Sequence, residues 1–149
     1  MTISIKSSIL IRRATAQVFA YVSDYARDPT WRTGVSEMLH EPPGQIHLGA
    51  KTHERMTFAG IRMINVAEIV EFDPGRKTAF KTIGRPLVAT GYRLVEPDAA
   101  GAHFTYAAEV ELRGPVALLA PFLQWHLRRT VRRDLERLKR ILEATPKVE

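Results

Sequence analysis

Hydrophobic and polar positions alternate with a period of two over most of the chain, then recur every three to four residues from residue 115 onward. The alternation starts at residues 2–11, TISIKSSILI, where Ile3, Ile5 and Ile9 share a parity and predict a strand. Thr15 is placed to cap a short helix through ATAQVFAYVSD, with Val18, Phe19 and Val22 on one face. Residues 24–31, DYARDPTW, predict a second short helix or turn that Pro29 limits. Six further strands are predicted at 35–40, 50–58, 62–72, 77–83, 87–95 and 102–112. Turn sequences such as Pro42-Pro43-Gly44, Ala59-Gly60 and Asp73-Pro74-Gly75 separate them, and these short connections imply antiparallel neighbours.

The closing segment, residues 115–144, reads PVALLAPFLQWHLRRTVRRDLERLKRILEA and predicts one long amphipathic helix. Pro115 suits its first turn, and Pro121 predicts a kink or break. Leu123, Leu127, Val131, Leu135, Leu138 and Leu142 form a stripe that must pack on something, and the sheet is the only large partner. A curved sheet closing around such a helix leaves room for a cavity between them. No repeat, linker or low-complexity tract divides the chain, so residues 1–149 are expected to form one domain.

Composition narrows the function. With no Cys, a disulfide framework, a thiolate metal site and a cysteine nucleophile are excluded. This usage fits a reducing compartment, and a cytoplasmic location is expected. No apolar run approaches the ~18 residues of a membrane span, and the N-terminus lacks the order of a signal peptide. The net charge of +6 is local: eight basic and two acidic residues between positions 113 and 142 account for all of it.

The opening strand leading into ATAQVFAYVSDYARDPTW, the segment LGAKTHERMTFAG, the stretch VAEIVEFDPGRKTAF and the run GYRLVEPDAAGAHFTYAAEVEL into a helix ending RRDLERLKRILE occur in that order. In this the chain resembles the helix-grip superfamily of START-related, pollen-allergen-like and polyketide cyclase/dehydrase proteins, and most closely its small bacterial "polyketide cyclase/dehydrase and lipid transport" group. The resemblance covers nearly the whole chain. It implies an α+β helix-grip fold: a seven-stranded antiparallel sheet wrapped around the C-terminal helix, with two short helices between the first two strands. It also implies a cavity for lipids, polyketides or other bulky apolar molecules. Fold alone does not choose among these.

No catalytic motif stands out. His40, His47, His53, His103 and His126 show no metal-ligand spacing, and neither a dinucleotide fingerprint, a P-loop nor a nucleophile elbow is present. No metal and no cofactor is expected. What remains is acid–base chemistry in a cavity. In the strand at 50–58, Thr52, Glu54, Met56 and Phe58 share the parity with the apolar end, which assigns them to the inner face. Glu54 would then be desolvated, raising its pKa; the alternative is a solvated carboxylate near the sheet edge. Tyr106 shares a face with Phe104, Ala108, Val110 and Leu112, and Tyr92 with Val88 and Leu94. Either phenol could orient a ligand or bond a backbone carbonyl. Asn65 interrupts the apolar strand MINVAEIV, facing either a ligand or solvent. Trp31, Met56, Met63, Phe80 and Trp125 are bulky enough to shape a wall or mouth, and residues 115–125, with Phe122, are expected to border an entrance.

The expected function is binding or transport of a bulky hydrophobic small molecule. The alternatives are a cyclase/dehydratase-type enzyme using Glu54, Tyr92, Tyr106 or Asn65, and an accessory protein acting through the basic helix face. Arg128, Arg129, Arg132 and Arg133 are assigned to the outer side of that helix, where a solvated surface competes with weak contact to an anionic membrane. Nucleic acid is not an expected partner, because only Trp125 interleaves the basic residues. Monomer and homodimer are both compatible with the sequence.

Overall fold

The period-two stretches become seven strands: β1 (Thr2–Ile11), β2 (Val35–Glu41), β3 (Lys51–Phe58), β4 (Ile61–Asp73), β5 (Lys77–Ile83), β6 (Val88–Asp98) and β7 (Gly101–Glu111). The computed structural model describes residues 1–144. All pairings are antiparallel in the order β1-β7-β6-β5-β4-β3-β2, so the two strands nearest the N-terminus form opposite edges of one sheet. The chain passes from one edge to the other through α1 (Thr15–Val22), a 3-10 turn over Tyr25–Arg27 and α2 (Asp28–Trp31). Irregularities at Val35/Glu37 in β2 and Ile69/Glu71 in β4 are bulges, which bend strands and increase their twist.

The sheet curves around α3 (Ala120–Ala144). Leu123, Val131, Leu135, Leu138 and Leu142 are buried, and Leu127 is half-buried against both of the clusters they join. The leucine stripe therefore packs as its spacing predicts. The helix lies chiefly along β1. With Trp31, Phe104, Val95 and the α1 residues Val18, Phe19 and Val22, it builds a core at that half of the sheet. A second cluster of Tyr25, Met38, Ile46, Ala50 and Ile69 closes the far end. Between them the inner faces of β3, β4 and β5 are the part of the sheet least covered by helix.

One local expectation holds and two change. The helical segment breaks beside Pro121: Gly114–Leu119 is a 3-10 helix, and α3 begins at Ala120 with Pro121 in its first turn. There the missing proline N–H costs nothing, because the first amides of a helix have no intrahelical acceptor. Ala14, not Thr15, takes the cap position of α1, where its N–H donates to Gln17 Oε1 at 3.4 Å. In β6 the inner residues are Ala89, Arg93 and Val95, so Tyr92 faces the opposite side of the sheet. The parity rule goes wrong there because it counts an arginine as outward, whereas this one has a buried carboxylate to pair with.

Candidate ligand cavity

Elements from both halves of the fold surround a cavity of about 320 Å³ between sheet and helix. Its apolar wall comes from Ile5, Met38, Met56, Phe58, Ala67, Phe80, Leu87, Ala89, Ala108, Val110, Leu127 and Val131. Small residues make the room: Ala67, Ala89 and Ala108 stand on inner-facing positions where a larger side chain would fill the space. Gly91 has the same effect indirectly. A Cβ there would lie 2.6 Å from Phe80 Cζ and 2.6 Å from the Ala107 carbonyl, so only glycine lets the Phe80 ring lie across β6.

One side of the cavity is polar, and its organising group is Asp28, the first residue of α2, with no solvent exposure. Arg93 Nη1 and Nη2 donate to Asp28 Oδ1 and Oδ2 at 2.8 and 2.5 Å, and Nη1 also donates to the Val22 carbonyl. Arg32, one turn after Asp28, donates through Nη1 to Asp28 Oδ2 (2.9 Å) and to Glu54 Oε2 (2.6 Å). Two guanidiniums thus meet two carboxylates in a neutral, largely dry cluster, the condition under which buried charge is tolerated. Burial works against the charge on Arg93, yet Asp28 and neighbouring groups more than offset it and hold its pKa above the usual arginine value. For Arg32, burial is likewise outweighed, with Glu54 contributing most to keeping it charged. The Arg93 guanidinium also lies 3.8 Å from the Tyr25 ring centroid. Tyr25 donates or accepts at Thr78 Oγ1 over 2.8 Å, and burial, opposed by Arg93, pushes its phenol up.

Asp134 projects from the buried stripe of α3 into the same cavity. The Thr33 N–H and Oγ1–H both donate to its Oδ1, at 3.0 and 2.7 Å. Burial pushes its carboxyl above the usual aspartate value, although the two Thr33 bonds oppose that shift. Asn65 is paired across strands with Glu54 and lies in the cavity wall. It is 4% exposed, and neither Nδ2 nor Oδ1 has a hydrogen-bond partner among the described residues. Trp31 Nε1 is a further buried donor without an acceptor. The exposed lining residues Thr33, Gly34, Thr57, Ala59, His126 and Arg133 form the rim.

The cavity brings together Trp31, Glu54, Met56, Phe58, Asn65, Phe80, Tyr106 and Ala108 from the residues singled out in the sequence. Glu54 is no isolated acid, however: Arg32 sits against it. Tyr106 stands edge-on to Trp31 at 6.2 Å between ring centroids. Other candidates lie elsewhere. Tyr92, on the other face, has the Lys77 ammonium 4.9 Å from its ring centroid. Phe104 is wholly buried beneath Trp31 in the core. Met63 pairs with Met56 but lies beyond the cavity lining. Phe122 and Trp125 are exposed to solvent, because they lie on the side of α3 opposite the buried stripe of Leu123, Val131, Leu135 and Leu138. Arg133 borders the cavity rather than the outer side of the helix.

Asp28, Arg32, Arg93 and Asp134 are not marked as site residues by any motif in the sequence. Two of them carried a signal. Arg93 breaks an apolar parity of Ala89 and Val95, and Asp134 occupies a position on the stripe between Val131 and Leu138. A charge on a buried face requires a partner. Among the described residues, no group of three His, Cys, Asp or Glu is close enough to hold a metal ion, and no helix is long and apolar enough to cross a membrane.

A seven-stranded sheet gripping a C-terminal helix around a cavity defines the helix-grip class. The chain belongs to the family described as "Polyketide cyclase / dehydrase and lipid transport", whose sequence model matches residues 2–143. Among curated protein sequences none matches it. Among solved structures, it is similar to TTHA0849 from Thermus thermophilus, with 15% identity, a TM-score of 0.82, and 97% of this chain and 99% of that one covered. It is similar to the Zhui aromatase/cyclase from Streptomyces sp. R1128, at 11% identity and a TM-score of 0.75 over 96% of this chain and 94% of that one. It also resembles the di-domain ARO/CYC StfQ from the steffimycin biosynthetic pathway, at 17% identity and a TM-score of 0.73; 97% of this chain is covered, but it spans only 50% of that protein. At these identities the likeness shows the fold.

Proposed function

We propose that this protein binds a bulky, mostly apolar small molecule that carries at least one hydrogen-bonding oxygen, with its body among Ala67, Phe80, Ala89 and Ala108 and its oxygen at Asn65. The observation that supports this most is the Asn65 amide, buried in the cavity wall with neither polar atom partnered. An orphaned buried amide is costly, and a ligand carbonyl or hydroxyl would satisfy it. The volume lies at the low end of small-molecule pockets, and the pairing of apolar walls with a few polar groups is their usual make-up. The neutral Arg–Asp–Arg–Glu cluster favours an uncharged polar group over a carboxylate at that wall. A hydroxylated anthraquinone, as an aromatic polyketide surrogate, and oleyl alcohol, as a single-chain lipid surrogate, are the probes. Calorimetric titration should show saturable binding of at least one, weakened about tenfold by Asn65→Leu, the loss of one hydrogen bond. No binding of either, or binding unaffected by Asn65→Leu, would refute the assignment.

A second reading, a cyclase/dehydratase-type activity on the bound molecule, is favoured by Asp134. Its carboxyl is raised by burial and faces the cavity with Oδ1 held by Thr33, as suits a general acid or base. Asp134→Asn should then abolish turnover while leaving probe affinity intact; retained turnover would remove Asp134 from that role.

A further inference from the structure

Four exposed apolar side chains lie together where α3 begins. Leu118 is 85% exposed, Phe122 61%, Trp125 55% and Leu119 54%. Phe122, Trp125, Arg129 and Arg132 follow one another at spacings of three and four, so they run down one side of α3, and Leu118 and Leu119 close the 3-10 turn immediately before it. The apolar end thus passes directly into a cationic one. The Arg129 guanidinium lies 5.5 Å from the Trp125 ring centroid. Arg128 and Arg129 have no acidic partner among the described residues, and Arg132 reaches Glu136 only at 4.0 Å. From residue 112 to residue 135 the only acid is Asp134, which is turned inward onto Thr33.

We propose that this face is a docking surface for an anionic membrane, with Leu118, Leu119, Phe122 and Trp125 entering the headgroup boundary and Arg129 and Arg132 lying among the lipid phosphates. Aromatic and leucine side chains at an apolar tip flanked by arginines are the composition that seats a helix at a bilayer interface. Charge decides against the other occupants. A second copy pairing through the same patch would either set arginines against arginines or, antiparallel about the aromatic end, leave them without an anionic partner, and nucleic acid would have to cover protruding leucines with phosphates. The surface also adjoins the cavity: Phe122 stacks on His126, with ring centroids 6.4 Å apart and an interplanar angle of 10°, and His126 belongs to the rim with Arg133. Docking would therefore bring the mouth to the bilayer. The docking stands independently of which molecule the cavity holds.

Co-sedimentation of the whole protein with phosphatidylcholine vesicles, with and without about one-third phosphatidylglycerol, tests this at low and at roughly physiological salt. The expected result is association with the anionic vesicles alone, weaker at higher salt, and reduced at least tenfold both by Phe122→Ser with Trp125→Ser and by Arg129→Gln with Arg132→Gln. All four side chains are exposed, so circular dichroism of these variants should be unchanged. Trp125 fluorescence should shift to the blue on binding in a Trp31→Phe background. Absence of association at low salt, or association that both pairs of substitutions leave intact, would overturn the proposal. So would a dimer in sedimentation analysis that the Phe122/Trp125 variant abolishes, because the patch would then be a protein interface. Probe binding by the Phe122/Trp125 and Arg129/Arg132 variants in vesicle-free solution, expected to match the parent, separates a failure of docking from a failure of the cavity reading.

Discussion

Arg93 of β6 and Asp28 of α2, 65 residues apart in the chain, form a two-armed ion pair with neither side chain more than 1% exposed. This pair fastens the crossover helices to the inner face of the sheet and thereby sets where the cavity ends. Because Arg32 shares the same carboxylate, the link extends through Glu54 to β3 on the far side.

Breaking that pair from one side should be far worse than removing it. Arg93→Met alone leaves Asp28 buried with only Arg32 beside it, and Asp28→Asn alone leaves a buried guanidinium short of charge. Each should cost about 3–5 kcal/mol in denaturant unfolding, and the double variant less than the sum of the two. Additive costs would mean the two side chains do not act as a unit.

Asn65 should behave in the opposite way. Its amide atoms are unpartnered, so Asn65→Leu, which keeps the approximate shape, should raise the stability of the ligand-free protein by about 1–3 kcal/mol. A stabilised but weakly binding variant is the expected signature of a position kept for a ligand; a destabilised one would assign Asn65 to the fold.

Gly91→Ala should cost about 1–3 kcal/mol, because the new methyl group meets both Phe80 and the Ala107 carbonyl. Since Phe80 lines the cavity, probe affinity should change as well. Combining it with Phe80→Leu should recover part of the stability, which thermal melts of the two variants would show.

The raised carboxyl of Asp134 has a defined sign. Burial makes the folded protein hold that proton to higher pH than the unfolded chain, so its contribution to stability is fully present in acid. It declines as pH rises from the ordinary aspartate value through the folded one. Asp134→Asn lacks this titration. Its melting temperature relative to the parent should therefore climb as pH rises above the ordinary aspartate value; a constant difference would show that the group titrates normally.

Local pattern and tertiary pairing divide this protein along a physical line. Alternation at Ile3, Ile5 and the β7 residues Phe104, Tyr106 and Ala108 is a backbone period of two, visible without any neighbour, and the leucine stripe of α3 is its helical counterpart. The seven strands, their antiparallel succession and the terminal helix were therefore legible, as was the inward parity of Thr52, Glu54, Met56 and Phe58 on β3. The facing of Tyr92 was not, because whether Arg93 turns inward depends on Asp28, which nothing within β6 can indicate.

The sequence by itself thus determined which segments become strands and helix, and that a sheet must cover the stripe, since these follow from burial periodicity within each segment. Only the tertiary structure decided which charges lie inside and that Asn65 is left without a partner among the described residues. Those outcomes depend on groups distant in the chain meeting across the fold, and the energy of a buried polar atom is set by the partner it finds rather than by its own place in the pattern.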